Sequence, residues 1–249
     1  MIVTVGTWRG GGATTTALLL AGAMSGETST WLIEADPAGG VLGGRVHFES
    51  HEIGGLEQIA FNAEADTPSA LFERVALRLG EVRVVGSPAD PFRSYACHSP
   101  RTPWQAMLRD LDGDVVVDVG RIRAGTPAWS LVSAGDVLVL VLTPEVSAAV
   151  ASSEWVMAGG RVAHDTNPLD DTVVRLAVVD MPGGIAFPRE TLRAELGEHW
   201  GAWLPWEPET VDLVHRGATL GDRRLRRSAL VDAARGLAST VRASLAMAS

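Results

Sequence analysis

The chain has 249 residues, of which 46% are hydrophobic and 20% charged, a composition typical of a folded globular protein. Its formal net charge of -9 argues against binding to DNA through bulk charge. The single cysteine, Cys97, excludes an intramolecular disulfide and a cysteine-based zinc cluster. No charged leader precedes the first apolar run, and no apolar stretch is long enough to span a bilayer, so we expect a cytoplasmic protein.

All 21 basic side chains are arginines, because the sequence contains no lysine. This absence excludes every mechanism that needs a lysine amine. The excluded groups are Schiff bases, the Tyr-x-x-x-Lys dyad of short-chain reductases and the phosphate-binding lysine of a standard P-loop.

Short β-branched runs alternate with Ala/Leu/Arg-rich stretches, which is typical of strands alternating with helices. In chain order we predict a strand over 2–6, a helix over 14–24, a strand over 31–33, helices over 56–61 and 68–79, a strand over 82–86, a helix over 103–111, a strand over 114–119, a helix over 126–133, a strand over 137–142, a helix over 147–157, a strand over 173–179, a helix over 188–196, a short strand over 202–204 and helices over 209–215 and 228–245. The segment 86–103, rich in Pro, Ser and Asp, is predicted to be a loop.

Near-continuous apolar strands separated by helices indicate an α/β fold. We expect one domain, 1–249, with a mostly parallel, doubly wound sheet covered by helices on both faces. Ligands bind at the carboxyl ends of the strands in such sheets, so the loops after the strands are the places to look for a site.

A glycine-rich loop, GTWRGGGATTT over residues 6–16, joins the first strand to the first helix. Glycines let the backbone approach an anion closely, and a helix N-terminus presents free N–H groups and the positive end of its dipole. The loop therefore indicates a phosphate site, although a tight turn with a threonine cap is the simpler alternative.

One class of cofactor for this loop is a dinucleotide. The spacing Gly6-x-x-x-Gly10-x-Gly12 matches the loop of short-chain dehydrogenases, in which Glu34 would hold a ribose. Their catalytic dyad needs a lysine, and the single tyrosine, Tyr95, lies in the run YACHS. A dinucleotide-binding, oxidoreductase-like protein remains an alternative.

The other class is a nucleoside triphosphate. The run RGGGATT over residues 9–15 resembles the deviant Walker-A loop of the MinD/ParA family of P-loop (SIMIBI-type) ATPases, and most of all its degenerate CpaE/TadZ-like group, if one residue is missing between Gly11 and Gly12. The resemblance places Arg9 at the signature lysine, Ala13 at the phosphate-binding lysine and Thr14 at the magnesium-binding hydroxyl.

Four later runs resemble other motifs of that family, in the family's order. In WLIEADPAGG over 31–40, Asp36 keeps the acid that orients the attacking water, while Glu34 replaces the first aspartate. DVVVDVG over 114–120 resembles Walker B, with Asp118 binding magnesium through water. In LAVVD over 176–180, Asp180 replaces the asparagine that reads adenine. LPWEP over 204–208 resembles the segment beside the base.

The resemblance thus implies ATP or ADP with Mg²⁺ as ligand. The implied nucleotide-binding residues are Arg9, Gly10, Gly11, Gly12, Ala13, Thr14, Thr15, Asp180, Pro205 and Trp206. The implied magnesium-binding residues are Thr14, Asp36 and Asp118, and Asp36 is the implied catalytic residue.

The loss of the lysine predicts weak or absent hydrolysis, because that charge stabilises the phosphates as the bond breaks. We expect a pseudo-ATPase or very slow ATPase, a homodimer that acts as an adaptor for a positioning, septum, pilus or secretion machine, with or without nucleotide. An active ATPase that uses Arg9 is the alternative. The run RRLRR over 223–227, before an amphipathic helix, leaves weak membrane contact and recruitment to a pole, septum or membrane open.

Overall fold

The computed structural model describes residues 1–48, 55–62, 67–99, 101–102, 104–123, 125–158, 172–182 and 188–248. Its helices and strands within these ranges are β1 (Ile2–Thr7), α1 (Ala13–Met24), β2 (Thr30–Glu34), α2 (Leu42–Arg45), α3 (Gly55–Asn62), α4 (Pro68–Val75), β3 (Leu77–Leu79), β4 (Val82–Val85), α5 (Pro91–Ala96), β5 (Asp114–Arg121), α6 (Ala128–Ala134), β6 (Val137–Leu142), α7 (Val146–Met157), β7 (Val173–Val179), α8 (Arg189–Leu196), β8 (Trp200–Leu204), α9 (Pro208–His215) and α10 (Ala229–Ala248).

Within the described residues the strands form one eight-stranded sheet in the order β3-β4-β2-β5-β1-β6-β7-β8. Neighbouring strands are parallel except β3 and β4, which are antiparallel. In the dinucleotide-binding order β1 lies beside β2, whereas here β5 separates the two strands. The predicted mostly parallel α/β sheet is confirmed, and its order is not that of a dinucleotide-binding domain.

Helices cover both faces of the sheet, and each face has its own apolar core. On one face, Val3 and Val5 of β1 share a core with buried residues of α1 and α10. On the other face, Ile2, Trp31 and Ile33 share a core with residues of α3, α4 and α6. Every residue of β1, β2 and β6 is buried, which explains why these strands are apolar runs rather than alternating ones.

Helix α10 contributes its apolar side to the first of these cores. The side chains that it buries there are Leu230, Val231, Ala234, Leu237, Ala238 and Val241. The arginines of the preceding RRLRR run stay exposed. The described residues contain no helix that is both long enough and apolar enough to cross a membrane.

Three predicted elements differ from the structure. The helix predicted over 68–79 ends at Val75, and Leu77–Leu79 turns back as the edge strand β3 at a hairpin in which Gly80 has a φ of 57°. The predicted loop 86–103 contains helix α5, whose N-terminus is capped by Asp90. The helix predicted over 103–111 is a 3-10 helix at Trp104–Asp110; residue 103 lies outside the described residues.

Candidate functional site

The carboxyl ends of β1, β2 and β5 lie side by side at one edge of the sheet. In the parallel registers, Glu34 pairs with Asp118 and Thr7 pairs with Arg121. The neighbours of β1 are β5 and β6. The chain continues from β1 to β2, which lies beyond β5 on one side, and later to β6 on the other side, so the strand order reverses at β1. In α/β sheets this point is the usual place for a ligand.

The loop between β1 and α1 is built on three consecutive glycines with positive φ. Gly10, Gly11 and Gly12 have φ angles of 85°, 125° and 99°, which residues with a side chain rarely adopt. Thr7 Oγ1 donates to the carbonyl oxygen of Gly10 at 3.3 Å. Across the described chain, the backbone amides of residues 10–15 donate no hydrogen bond, whereas the amide of Thr16 donates to Gly12 at 2.8 Å. Free amides at a helix N-terminus suit an anion.

The first residues of α1 have three different surroundings. Ala13 is buried in the core that α1 shares with α10, so its methyl group brings no charge to the loop. The Thr14 hydroxyl is close enough to Asp118 to lower the pKa of that carboxyl. Thr15 lines a cavity beside the helix. These three residues, which the sequence predicted to bind nucleotide, therefore face the core, Asp118 and the cavity in turn.

Arg9 is exposed and faces α7. Its Nη1 donates to Ser147 Oγ, in the first turn of α7, at 3.1 Å. Its carbonyl oxygen accepts a hydrogen bond from Arg121 Nη2, also at 3.1 Å. The guanidinium predicted to compensate for the missing lysine is thus held by α7.

Asp118 is fully buried in β5, three residues before the carboxyl end of the strand. Its Oδ1 accepts from the amide of Gly120 at 3.0 Å, while Oδ2 has no partner among the described residues. Burial raises the pKa of Asp118 to about 7; the Thr14 hydroxyl lowers this pKa and the neighbouring charge of Glu34 raises it. A buried carboxylate oxygen without a partner, next to a hydroxyl, fits Mg²⁺, which prefers oxygen ligands.

No group of three or more His, Cys, Asp or Glu side chains in the described ranges is arranged to hold a metal. A magnesium ion at this edge would therefore depend on Asp118, Thr14, water and the phosphates of a ligand. Mg²⁺ is often bound in this way, by one or two carboxylates together with substrate phosphates.

Glu34 has a structural role. Its Oε1 accepts from the amides of Val41 (2.5 Å) and Leu42 (2.8 Å), and its Oε2 accepts from the amide of Ser87 (3.1 Å). Burial raises the pKa of Glu34, and these amides lower it. A buried carboxylate that accepts from three amides is not free to hold a ribose. Neither the contacts of Glu34 nor the strand order therefore supports the dinucleotide-binding alternative.

Asp36 is half-buried at the start of the loop after β2. Its Oδ1 accepts from the amide of Ala38 at 2.8 Å, and its Oδ2 lies against the α-carbon of Gly120, where any side chain would collide with it. Burial raises the pKa of Asp36, while the Ala38 amide and the charges of Arg121 and Arg123 lower it. The predicted catalytic acid is thus beside the end of β5, near Asp118.

A cavity of about 330 Å³ opens between α1 and the elements β7, β8, α9 and α10. Its wall is mostly apolar, and Gly12 and Thr15 form its border with the glycine loop. The remaining lining residues come from α1, β7, β8, the segment that joins β8 to α9, α9 and α10: Thr16, Leu19, Val179, Leu204, Pro205, Trp206, Glu207, Pro208, Val211, Asp212, His215 and Leu230. A flat apolar group such as a nucleobase matches this lining.

Two of the three residues predicted to lie beside the base line this cavity, and the third does not. Pro205 and the half-exposed Trp206 contribute to its wall. Asp180 does not line the cavity, and its Oδ1 accepts from the amide of the next residue, Met181, at 2.9 Å. Its neighbour Val179 provides the wall at that point.

Two features of this edge were not predicted from the sequence. Arg121 and Arg123 line a second cavity, of about 490 Å³, together with Asp36 and Tyr95. The run Asp-Val-Gly-Arg at the end of β5 was a usable signal, but the strand was predicted to end at residue 119, two residues before Arg121.

The second feature is a cluster of three half-buried tryptophans. Trp8, in the glycine loop, lies 4.8 Å from Trp155 of α7 and 6.2 Å from Trp129 of α6, measured between ring centroids. Trp8 Nε1 is buried without a partner among the described residues. These contacts hold the first turn of the loop against two helices.

The sequence matches no protein-family model and no curated protein. Solved structures do resemble it. A ParA family ATPase from Chlorobium tepidum TLS is 14% identical with a TM-score of 0.74, covering 96% of this chain and 97% of that one. The cell division ATPase MinD of Pyrococcus furiosus is 16% identical with a TM-score of 0.74, covering 98% of both chains.

A third similar structure carries a ligand. The septum site-determining protein MinD of Pyrococcus horikoshii OT3, complexed with Mg-ADP, is 15% identical with a TM-score of 0.69, covering 100% of this chain and 99% of that one. Likeness at such identities is a likeness of fold. The chain has the α/β fold of the MinD/ParA P-loop NTPases.

Proposed function

We propose that this protein binds ATP or ADP with Mg²⁺ at the glycine loop, hydrolyses ATP very slowly or not at all, and acts as a MinD/ParA-like positioning or regulatory protein. The observation that carries the proposal is the row of amides over residues 10–15, which donate to no described residue and open a helix whose first residue is the buried Ala13. These amides support a phosphate site at the loop, and the sequence contains no lysine to add a charge to it.

Binding is supported by the arrangement around the loop. The amides of the loop suit phosphates, and the 330 Å³ cavity that begins at Gly12 has the size and lining for a base. Asp118 and Thr14 would hold Mg²⁺ on the opposite side of α1, with Asp36 close by. ATP or ADP would then extend from the cavity along the loop.

Slow hydrolysis follows from the chemistry of phosphoryl transfer. The reaction depends on charge stabilisation by positioned cations, and removal of one such contact typically lowers the rate by roughly 10²–10³-fold. Ala13 offers no charge, and its resemblance to the alanine of CpaE/TadZ-like loops supports placing the protein in that degenerate group. An active ATPase that uses Arg9 is the second candidate.

The positioning role rests on the resembled proteins, which are named for cell division and septum-site determination. We infer a homodimer that joins two glycine loops, with Arg9 on the shared surface, and a protein partner in a positioning, septum, pilus or secretion machine. Sedimentation of wild type and Arg9→Ala, with and without nucleotide, tests the dimer. A monomer under every condition would contradict it.

Steady-state phosphate release in ATP and Mg²⁺ tests the enzymatic part. We expect a rate at least about 10²-fold below that of an active MinD/ParA ATPase measured alongside. Turnover at the active enzyme's rate, lost in both Asp36→Ala and Arg9→Ala, would establish an ATPase that uses Arg9.

A further inference from the structure

Arg121 lies over the start of the glycine loop. It is the last residue of β5 and pairs with Thr7, the last residue of β1. Its Nη2 donates to the carbonyl oxygen of Arg9 at 3.1 Å and lies 3.1 Å from the point where a Cβ on Gly10 would be. The guanidinium is therefore already oriented onto the loop by one of its five N–H donors, which leaves the others for a ligand.

Among the described residues, no ion pair neutralises the charge of Arg121. No carboxylate in the described part of the chain lies within 4.0 Å of its guanidinium nitrogens. The half-buried Asp36 is near enough to feel its charge, and the two residues line the 490 Å³ cavity together. Arg121 is thus an exposed cation beside a row of free amides.

The two ends of the loop have different neighbours. Gly12 borders the apolar cavity between α1 and β8, whereas Gly10 abuts Arg121. A nucleotide with its base in that cavity would extend its phosphates from Gly12 towards Gly10. The phosphate farthest from the base would come nearest to Arg121. Asp118, with its unpartnered buried Oδ2, lies three residues before Arg121 on the same strand.

We propose that Arg121 supplies, from β5, the positive charge that the loop itself lacks, and that it binds the terminal phosphate of a nucleoside triphosphate. This inference rests on the proposed nucleotide binding and adds that the protein distinguishes a triphosphate from a diphosphate. Arginine suits this role because its planar fork matches phosphate oxygens.

Calorimetric titration of ATP and ADP, with Mg²⁺, into wild type and four variants tests the proposal. Arg121→Ala should lower ATP affinity by about 10-fold or more, the effect of one charged hydrogen bond, and ADP affinity by less than about 3-fold. Arg121→Lys should retain part of the ATP affinity. Arg9→Ala tests the competing cation, and Arg78→Ala is the control, an exposed arginine on edge strand β3.

The outcomes separate this proposal from the proposed function. Wild-type ATP affinity in Arg121→Ala, or an equal loss for ATP and ADP, would overturn the role of Arg121 while leaving nucleotide binding in place. A loss of ATP affinity in Arg9→Ala that Arg121→Ala does not share would assign the charge to Arg9. Absence of binding by wild type at millimolar nucleotide would overturn both proposals. Thermal unfolding of each variant checks that it is folded.

Discussion

The carboxyl ends of β2 and β5 carry acids that lie side by side in the sheet, Glu34 and Asp118, yet the two acids have different partners. Glu34 accepts hydrogen bonds from three backbone amides and fixes the loops after β2 and β4. Asp118 accepts from one amide and keeps a buried oxygen without a partner among the described residues.

This difference indicates a structural role for Glu34 and a cation-binding role for Asp118 at the same edge of the sheet. A carboxylate that is saturated by amides stabilises the fold, because a buried acceptor with partners repays its desolvation. A buried carboxylate with an open oxygen destabilises the fold when it is ionised and gains from a cation. The two residues should therefore respond to mutation with opposite signs.

The largest effect is expected from Glu34→Ala. Three amides, two of them buried, would lose their acceptor, each at about 1–3 kcal/mol, so we expect the free energy of unfolding to fall by about 3–9 kcal/mol. Urea unfolding followed by circular dichroism measures this loss. Glu34→Gln, which keeps one carbonyl acceptor, should lose less. A loss below about 1 kcal/mol for the alanine variant would remove Glu34 from its structural role.

Asp118→Asn should raise the free energy of unfolding rather than lower it. The folded pKa of about 7 lies above the ordinary value of 3.8, so the folded state binds more protons between these values and stability falls as pH rises through them. At pH 8 the asparagine variant, which carries no charge, should be more stable than wild type by about 2–4 kcal/mol. It should also lose the stabilisation that Mg-nucleotide gives to wild type. Equal stability of the two proteins at pH 8 would contradict the burial argument.

His98 also changes how folding stability depends on pH, at the acid end of the range. Its effect must be measured separately from that of Asp118. It is buried against Trp104, neither ring nitrogen has a partner in the described structure, and burial lowers its pKa to about 4. The unfolded state therefore binds more protons between pH 4 and 6.5, and stability falls as pH drops through that range, by up to about 3 kcal/mol.

His98→Leu should remove this loss on the acid side. Unfolding free energies of wild type and variant at pH 4.5, 5.5, 6.5 and 7.5 measure it. If the unfolding free energy of the leucine variant falls with decreasing pH as steeply as that of wild type below pH 6.5, the effect does not come from His98.

The smallest expected effect on stability comes from Gly11→Val, which tests the loop alone. A Cβ there would lie 3.1 Å from Thr143 Cγ2, at a φ of 125°, so we expect a loss of about 1–2 kcal/mol with the fold retained. Nucleotide affinity should fall by at least about 10-fold, because the valine side chain would alter the row of amides. Gly44→Val is the matched control, since a Cβ at Gly44 meets nothing within 4 Å. Unchanged affinity in Gly11→Val would move the site away from the loop.

The sequence predicted the strands well, since β1, β2 and β6 are buried on both faces and their apolar runs leave little choice. It missed β3, because the residues after Val75 continue a helical composition and a three-residue edge strand is set by pairing with β4. The role of Glu34 was also out of reach, because its contacts with Val41 and Leu42 depend on how the loop after β2 folds back, and its third partner, Ser87, is 53 residues away along the chain.

The motifs indicated which loop and acid residues to examine, but they did not indicate the contacts that these residues make. Arg9 was predicted to serve the loop, and its guanidinium is bonded to Ser147, a contact between residues 138 positions apart. Arg121 was missed, because its place over Gly10 follows from the register of β1 with β5, which only the folded sheet defines.

The most direct test of our central claim, that backbone amides of residues 10–15 bind nucleotide phosphates without a lysine, is calorimetric titration of the wild-type protein with ATP in Mg²⁺. We expect saturable binding with a Kd of about 10 μM to 1 mM, since these amides donate to no described residue and one charged contact is lost. Absence of binding at several millimolar ATP would contradict the claim and leave the loop as a turn between β1 and α1.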